Sequence, residues 1–355
     1  MTALHELASG GSFIYVASRV FDFAEKLKTE ALERAVKAGV TRSMQDAGIT
    51  PNIGAPITFV PFRDTTQSDV GQSLPEGHLT RKIYHEDIER LHRLSALVCF
   101  FDGLSKDEGI CMEIGYAFGI NKPVLLAITD FVRTDYKDIE QSEHLVDPVL
   151  EVMATKIIYE YKISQDGNTF EEQLRESLRL FCERIQGEVY LLGLGSREGA
   201  SSGYTSGLLA NTYDVYIDFG GGLFEWQRSL QERLAEQLCA KGLSCVTSQR
   251  YWCREDLASG FTVRQVGERD LRNAQSSSVI VICSDSIEMN SGTAAIQGFS
   301  RALNKKILLY DSKSTSMVAD YGYRSSRNLM IDHSATKAVS CFSQIGAAVR
   351  EMLVA

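Results

Sequence analysis

The stretch DGLSKDEGICMEIGYAFGINKPVLLAITD, Asp102 to Asp130, reads as a strand end, an acidic loop, a helix and a strand. Ala96 to Phe101 (ALVCFF) before it is a continuous apolar run of strand length. Asp102 and Gly103 stop that run, and Asp107, Glu108 and Gly109 precede a helix expected from about Ile110 to Ile120. Asn121-Lys122-Pro123 ends the helix, and Val124 to Ile128 forms the next strand. Such a unit puts its loop at the carboxyl end of a strand, where open α/β sheets bind ligands. Glu113 then lies one turn into the helix near Asp107. Two carboxyls so placed suit a nucleophile and a proton carrier.

Outward from that stretch the alternation continues. Phe13–Ala17 (FIYVA) is a short buried strand, and Phe21 to Ala38 carries apolar residues at helical spacing, with Gly39 as its expected stop. Ile57 to Phe62 (ITFVPF) reads as a strand, the polar Arg63–Thr80 segment as a long connection, and Lys82 to Leu94 as a helix bearing Asp87. Ala154 to Tyr161 is a further strand and Phe170 to Ile185 an amphipathic helix closing a first domain of alternating strands and helices. Gly and Ser dominate Gly193 to Asn211, which reads as a linker. The expected division is 1–190, a linker 191–211, and 212–355.

The second half starts the pattern again. Strands are expected at Tyr213–Asp218, Leu243–Thr247, Ser278–Cys283 and Lys306–Tyr310, and helices at Phe224–Lys241, Thr262–Ala274, Gly292–Leu303 and Lys337–Val354. An ungapped offset of 183 residues places Gly109 on Gly292, Asp102 on Asp285, Asp87 on Asp270, Gly115 on Gly298 and Asn121 on Asn304. A match across helix, strand, loop, helix and strand indicates two copies of one α/β fold, and two copies in one chain suggest a built-in pseudo-dimer. The copies diverge where chemistry would sit: Asp107 faces Asn290, Glu108 faces Ser291 and Glu113 faces Ile296. One half reads as active and the other as degenerate.

Composition narrows the function classes. The chain has 355 residues, a formal charge of −9, 44% hydrophobic and 23% charged residues. That balance is globular, and its sign argues against nucleic acid as the main partner. No apolar run reaches the length of a membrane span, and the N-terminal sequence lacks the pattern of a signal peptide. The eight cysteines are scattered without a CxxC pair, which fits reduced thiols and a cytoplasmic setting. The six histidines show no metal spacing. No metal and no cofactor are expected.

The segment DEGICMEIGYAFGINKPVLL resembles the signature of nucleoside 2-deoxyribosyltransferases: Asp, one residue, Gly, three residues, then Glu-hydrophobic-Gly-Tyr-Ala, with a Lys before the next strand. FIYVASRVF near the N-terminus and Asp87, 20 residues before Asp107, extend the resemblance over roughly residues 13–128. It implies two tandem flavodoxin/Rossmann-like parallel-sheet domains, the second lacking the site. It also implies transfer of a 2-deoxyribosyl group between nucleobases, with a nucleoside and a free base as the small-molecule partners. Glu113 would be the nucleophile toward C1′. Asp107 and Asp87 would hydrogen-bond the base and manage its proton, Tyr15 would orient Glu113 or the sugar, and Phe21 would pack on the base. Family sites are completed by a neighbouring subunit's Asn. Here Asn328, in RNLMIDHS, would be the counterpart, reaching in from the degenerate copy. Gly109 belongs to the same substrate-binding set. Arg19 departs from the family turn and suits a 5′-phosphate, which keeps a nucleoside or nucleotide hydrolase open. A non-catalytic nucleoside-binding or assembly module is the reading from another class, and a homodimer of whole chains stays open as well.

Overall fold

A computed structural model describes residues 3–19, 23–64, 76–102, 106–129, 146–160, 166–167, 169–193, 210–220, 225–250, 256, 258–284, 289–312 and 328–355. In the first half, strands β1 (Phe13–Ala17), β2 (Thr58–Phe59), β3 (Leu94–Phe100), β4 (Val124–Ile128) and β5 (Lys156–Tyr159) form one parallel sheet in the order β2-β1-β3-β4-β5. In the second, β6 (Tyr213–Asp218), β7 (Cys245–Thr247), β8 (Ser277–Cys283), β9 (Lys306–Tyr310) and β10 (Lys337–Val339) take the order β7-β6-β8-β9-β10. Renumbered within each half, both orders are 2-1-3-4-5, the doubly wound arrangement of flavodoxin-like folds. The fold is α/β with two such sheets.

The helices are α1 (Ala3–Ser9), α2 (Phe23–Asp46), α3 (Pro61–Asp64), α4 (Glu76–Arg93), α5 (Glu108–Gly119), α6 (Pro148–Met153) and α7 (Phe170–Gly193) in the first half. The second half has α8 (Glu225–Cys239), α9 (Val263–Gln275), α10 (Ser291–Ala302), α11 (Leu329–Ser334) and α12 (Ile345–Val354). Strand residues alternate between two cores because successive side chains leave opposite faces. Ile14, Val16, Ala96, Val98, Leu125 and Ala127 face α2 and α7, where Leu32, Val36, Phe181 and Ile185 cover them. Val215, Ile217, Val279 and Val281 likewise face α8 and α12. The intervening residues, Tyr15, Leu97, Cys99 and Leu126 of one sheet and Tyr216, Ile280, Ile307 and Leu309 of the other, belong to a single shared core. That core is filled by helices α4, α5 and α6 from one half and α9, α10 and α11 from the other. The molecule is thus layered as helices, sheet, shared helices, sheet, helices.

At the centre α5 crosses α10. A Cβ built on Gly115 would fall on the carbonyl of Ala295, and one on Gly298 would fall on the carbonyl of Met112. These contacts are reciprocal under the 183-residue offset, which maps Met112 onto Ala295 and Gly115 onto Gly298. Only glycine lets two helix backbones approach this closely. Asn121 and Asn304, just past the ends of α5 and α10, both adopt left-handed backbone with φ of 59° and 55°. Asn tolerates that region because its short polar side chain satisfies local backbone groups. The same device at the same place supports the repeat.

Several sequence expectations are corrected. Gly39 does not stop α2, which runs on to Asp46. Its missing side chain serves packing instead, since a Cβ there would lie 2.6 Å from the Gln186 carbonyl of α7. The strand expected at 57–62 is only Thr58–Phe59, and Pro61 opens a helical turn rather than sitting in the sheet. Lys337 to Val354 is not one helix but strand β10 followed by α12. The six-residue helices α6 and α11 went unforeseen because each is too short to establish a period. Phe21, residues 65–75 of the Arg63–Thr80 segment, Asp285 and residues 194–209 of the Gly/Ser-rich stretch lie outside the described residues.

The close crossing yields a stability prediction. Gly115→Ala forces a methyl group into a neighbouring backbone and is expected to cost at least about 2 kcal/mol. A urea unfolding midpoint unchanged from the parent would show that the helices are not held at this distance.

Candidate active site

The site forms where the carboxyl ends of β1 and β3 meet the first turns of α5. Tyr15 stands in β1, beside Leu97 of β3 and Phe59 of β2. It is fully buried, and its hydroxyl donates to Glu113 Oε1 at 2.7 Å. Glu113 follows the first turn of α5 and is buried under the shared core. Asp107 is the N-cap of α5, and its carboxylate accepts from the backbone N–H of Ile110 at 3.0 Å. That is a structural role as well as a place in the site, because an N-cap acid satisfies an otherwise orphaned helix donor. Asn290 caps α10 in the same way.

Asp87 faces the cluster from α4. Its Oδ1 lies 3.7 Å from Arg90 Nη1, and the Arg90 guanidinium stacks 4.9 Å from the centroid of Phe59. Phe59 in turn packs on Tyr15 with ring centroids 5.4 Å apart. Arg90 and Phe59 were not singled out from the sequence. The i,i+3 spacing of Asp87 and Arg90 on a helix was a readable signal for the pair.

The electrostatics follow from crowding acids in a dry place. Burial raises Glu113 to about 8, the Tyr15 hydroxyl opposes the rise, and the negative neighbours Asp87 and Asp107 add to it. Asp87 is pushed up to about 6 by burial, with Arg90 pulling the other way. Burial also raises Asp107, against the pull of the Ile110 and Gly109 N–H groups and of Arg19. Tyr15 is raised well above its ordinary value by burial and by Glu113. Like charges close together in low dielectric cannot all ionise, so near neutral pH such a set retains protons. One carboxyl can then act as an acid while another, once ionised, attacks.

The second half supplies part of this site. A Cβ on Gly109 would meet Asn328 Nδ2 at 2.6 Å and Asp107 Oδ1 at 3.0 Å. Gly109 therefore admits the Asn328 amide to the mouth of the carboxyl cluster. Asn328 is itself fixed as the N-cap of α11, accepting from Met330 N at 2.9 Å. Glu108 Oε1 accepts from Met289 N at 2.6 Å, a second link between the halves beside the site. Arg301 of α10 donates to the Tyr84 hydroxyl at 3.0 Å, which steadies the helix that carries Asp87.

Of the residues expected from sequence, Tyr15, Asp87, Asp107, Gly109, Glu113 and Asn328 thus come together. Arg19 stands at the edge, 3.5 Å from Glu25 with its Nε. Phe21 lies outside the described residues.

Among the described residues, no helix is long and apolar enough to cross a membrane. A solved structure described as a conserved protein from Enterococcus faecalis aligns over 48% of this chain and 98% of its own, with 17% identity and a TM-score of 0.30. No curated protein matches. The family model of nucleoside 2-deoxyribosyltransferase matches residues 14–170, a span that holds Tyr15, Asp87, Asp107, Gly109 and Glu113. Over those residues the chain is similar to the nucleoside 2-deoxyribosyltransferase family.

Proposed function

We propose that the protein transfers a 2-deoxyribosyl group between nucleobases through a covalent intermediate on Glu113. The observation that carries this reading is the buried Tyr15–Glu113 hydrogen bond with Asp87 and Asp107 beside it. In the first step an ionised Glu113 oxygen attacks C1′. The bond from C1′ to the base nitrogen breaks, and its electron pair leaves with the base. A proton from Asp87 or Asp107 neutralises that nitrogen, since an unprotonated base is a poor leaving group. The sugar centre carries positive charge on the way, and the carboxyl cluster stabilises it. In the second step a nitrogen of the acceptor base attacks C1′, Glu113 departs as carboxylate, and the acceptor's N–H proton returns to the cluster. Water attacking instead would give the free sugar.

Tyr15 holds the nucleophile in place and favours its charged form, because it donates to the carboxylate. Asn328 offers an amide to the sugar from the second half, with the two halves acting as an internal pseudo-dimer. The proposed division keeps 1–190 as the catalytic domain and 212–355 as its wall, joined by the 191–211 linker, whose first three residues still belong to α7.

Incubated with a deoxynucleoside and a second free base, the protein should form the exchanged nucleoside. Release of base without exchange would mark it as a hydrolase, and absence of both across the common bases would end the proposal. Glu113→Ala should lower turnover at least about 1,000-fold and abolish the glycosyl adduct seen by intact-protein mass spectrometry after a rapid quench. Asn328→Ala should raise nucleoside KM about tenfold, the loss of roughly one hydrogen bond to the sugar. An unchanged KM and turnover would remove Asn328 from the site.

Glu113 also sets a pH dependence of stability. Its folded-state value, raised to about 8 from 4.5, means the native protein holds a proton the unfolded chain releases. The associated stability is present below about 4.5 and is lost as pH rises through about 8. Glu113→Gln should flatten that decline and melt above the parent at pH 9, with a stability gain of up to roughly 5 kcal/mol. Parallel melting curves for the two proteins from pH 5 to 9 would contradict the assignment.

A further inference from the structure

In the second half the place equivalent to the first half's carboxyl cluster is filled by a buried side chain. Strand registers fix the correspondence. Tyr15 pairs with Leu97 and Tyr216 with Ile280, and the 183-residue offset maps Leu97 onto Ile280, so Tyr216 stands where Tyr15 stands. By the same offset Asp270 takes the place of Asp87, Asn290 that of Asp107 and Ile296 that of Glu113. Across the interface, Asp147 mirrors Asn328. Each caps a six-residue helix, and each presses on the first-turn glycine of the other half's central helix: Asn328 on Gly109, Asp147 on Gly292.

Among these residues lies the side chain of Arg250, wholly buried. Its Nη1 donates to Asp218 Oδ2 at 2.8 Å, to Ser248 Oγ at 2.7 Å and to Asp270 Oδ2 at 3.2 Å, and sits 3.4 Å from the Tyr216 hydroxyl. Its Nη2 donates to Thr293 Oγ1 at 2.9 Å. Its Nε donates to Asp147 Oδ2 at 3.2 Å, from the first half. Thr293 and Ser248 donate on to Asp218 and Asp270, so the receptor around the guanidinium is itself bonded. Three buried carboxyls around one planar cation form a receptor for a guanidinium, which a compact ammonium would not satisfy.

Register also identifies where the plug came from. Phe59 pairs with Tyr15 and Val246 with Tyr216, so Arg250 occupies the position equivalent to Arg63, four residues on in each half. Arg63 turns away from the first-half pocket, to Glu33 and Asp64. In the second half the equivalent side chain turns inward.

We propose that the cluster of Asp147, Asp218 and Asp270 is a guanidinium-binding site whose permanent occupant is Arg250, at the place in the second half equivalent to the Tyr15–Asp87 cluster of the first. Retention of Tyr216 and Asp270, when the counterparts of Glu113 and Asp107 have changed, follows from this. They are kept as receptor groups for the plug. The proposal stands whether or not the first half transfers deoxyribose.

The test uses the full chain with Arg250→Ala. Removing one partner of a buried charge cluster leaves the others uncompensated, so the melting temperature should fall by roughly 10 °C. Methylguanidinium at millimolar concentration should restore at least half of that loss, whereas potassium chloride at equal ionic strength and methylurea at equal concentration should not. Arg250→Lys, which keeps the charge without the fork, should gain little from methylguanidinium and melt below the parent. If Arg250→Ala does not fold, Arg250→Met combined with Asp218→Asn and Asp270→Asn should fold and melt above Arg250→Met alone, because the stranded charges are gone. The proposal is overturned if Arg250→Ala melts with the parent, if methylguanidinium does no better than the two controls, or if the triple variant melts no higher than Arg250→Met.

Discussion

Two helix backbones touch at Gly115 and Gly298, and the arrangement of everything between the sheets depends on that contact. With side chains at those positions α5 and α10 would be pushed apart by the width of a methyl group or more. Asn328 would then withdraw from Gly109 and Asp147 from Gly292, since each is rooted on a helix packed in the same layer. The site is therefore not a property of one sheet. It is built at a seam whose width is set by the absence of two side chains.

The seam also explains why the acids can be so close and so dry. A sheet with helices on its outer face alone would leave Tyr15 and Cys99 looking into water. Here α4 and α5 cover them, the second half's helices pack against those in the shared core, and the resulting burial raises Glu113.

Much of this was legible in the sequence. Apolar runs of strand length separated by turn residues gave both sheets. The ungapped repeat gave their equivalence, and Asp107-x-Gly-x-x-x-Glu gave the carboxyl cluster with the Gly109 that opens it. What could not be read has physical reasons. Gly39 looks like a stop because glycine is a poor helix former, yet the neighbouring helix demands that no side chain be there. Helices α6 and α11 are six residues long and show no period, though each carries an N-cap that reaches the opposite half. Arg250 lies in QRYWCRED, a polar stretch with the look of a surface loop. Nothing local says that its guanidinium turns inward, because the carboxyls that draw it come from positions 147, 218 and 270.

Joining the two copies end to end changes what a substitution can do. In an assembly of identical subunits, each residue of the wall is also a residue of the catalyst, and a change made for one duty is imposed on the other. In this chain Ile296 can replace an acid, and Arg250 can fill a pocket, without either change appearing beside Tyr15. The tether frees the halves to diverge while the shared core keeps them inseparable. Specialisation of the two faces of one seam is then open to selection separately, as it is for two different proteins that never part.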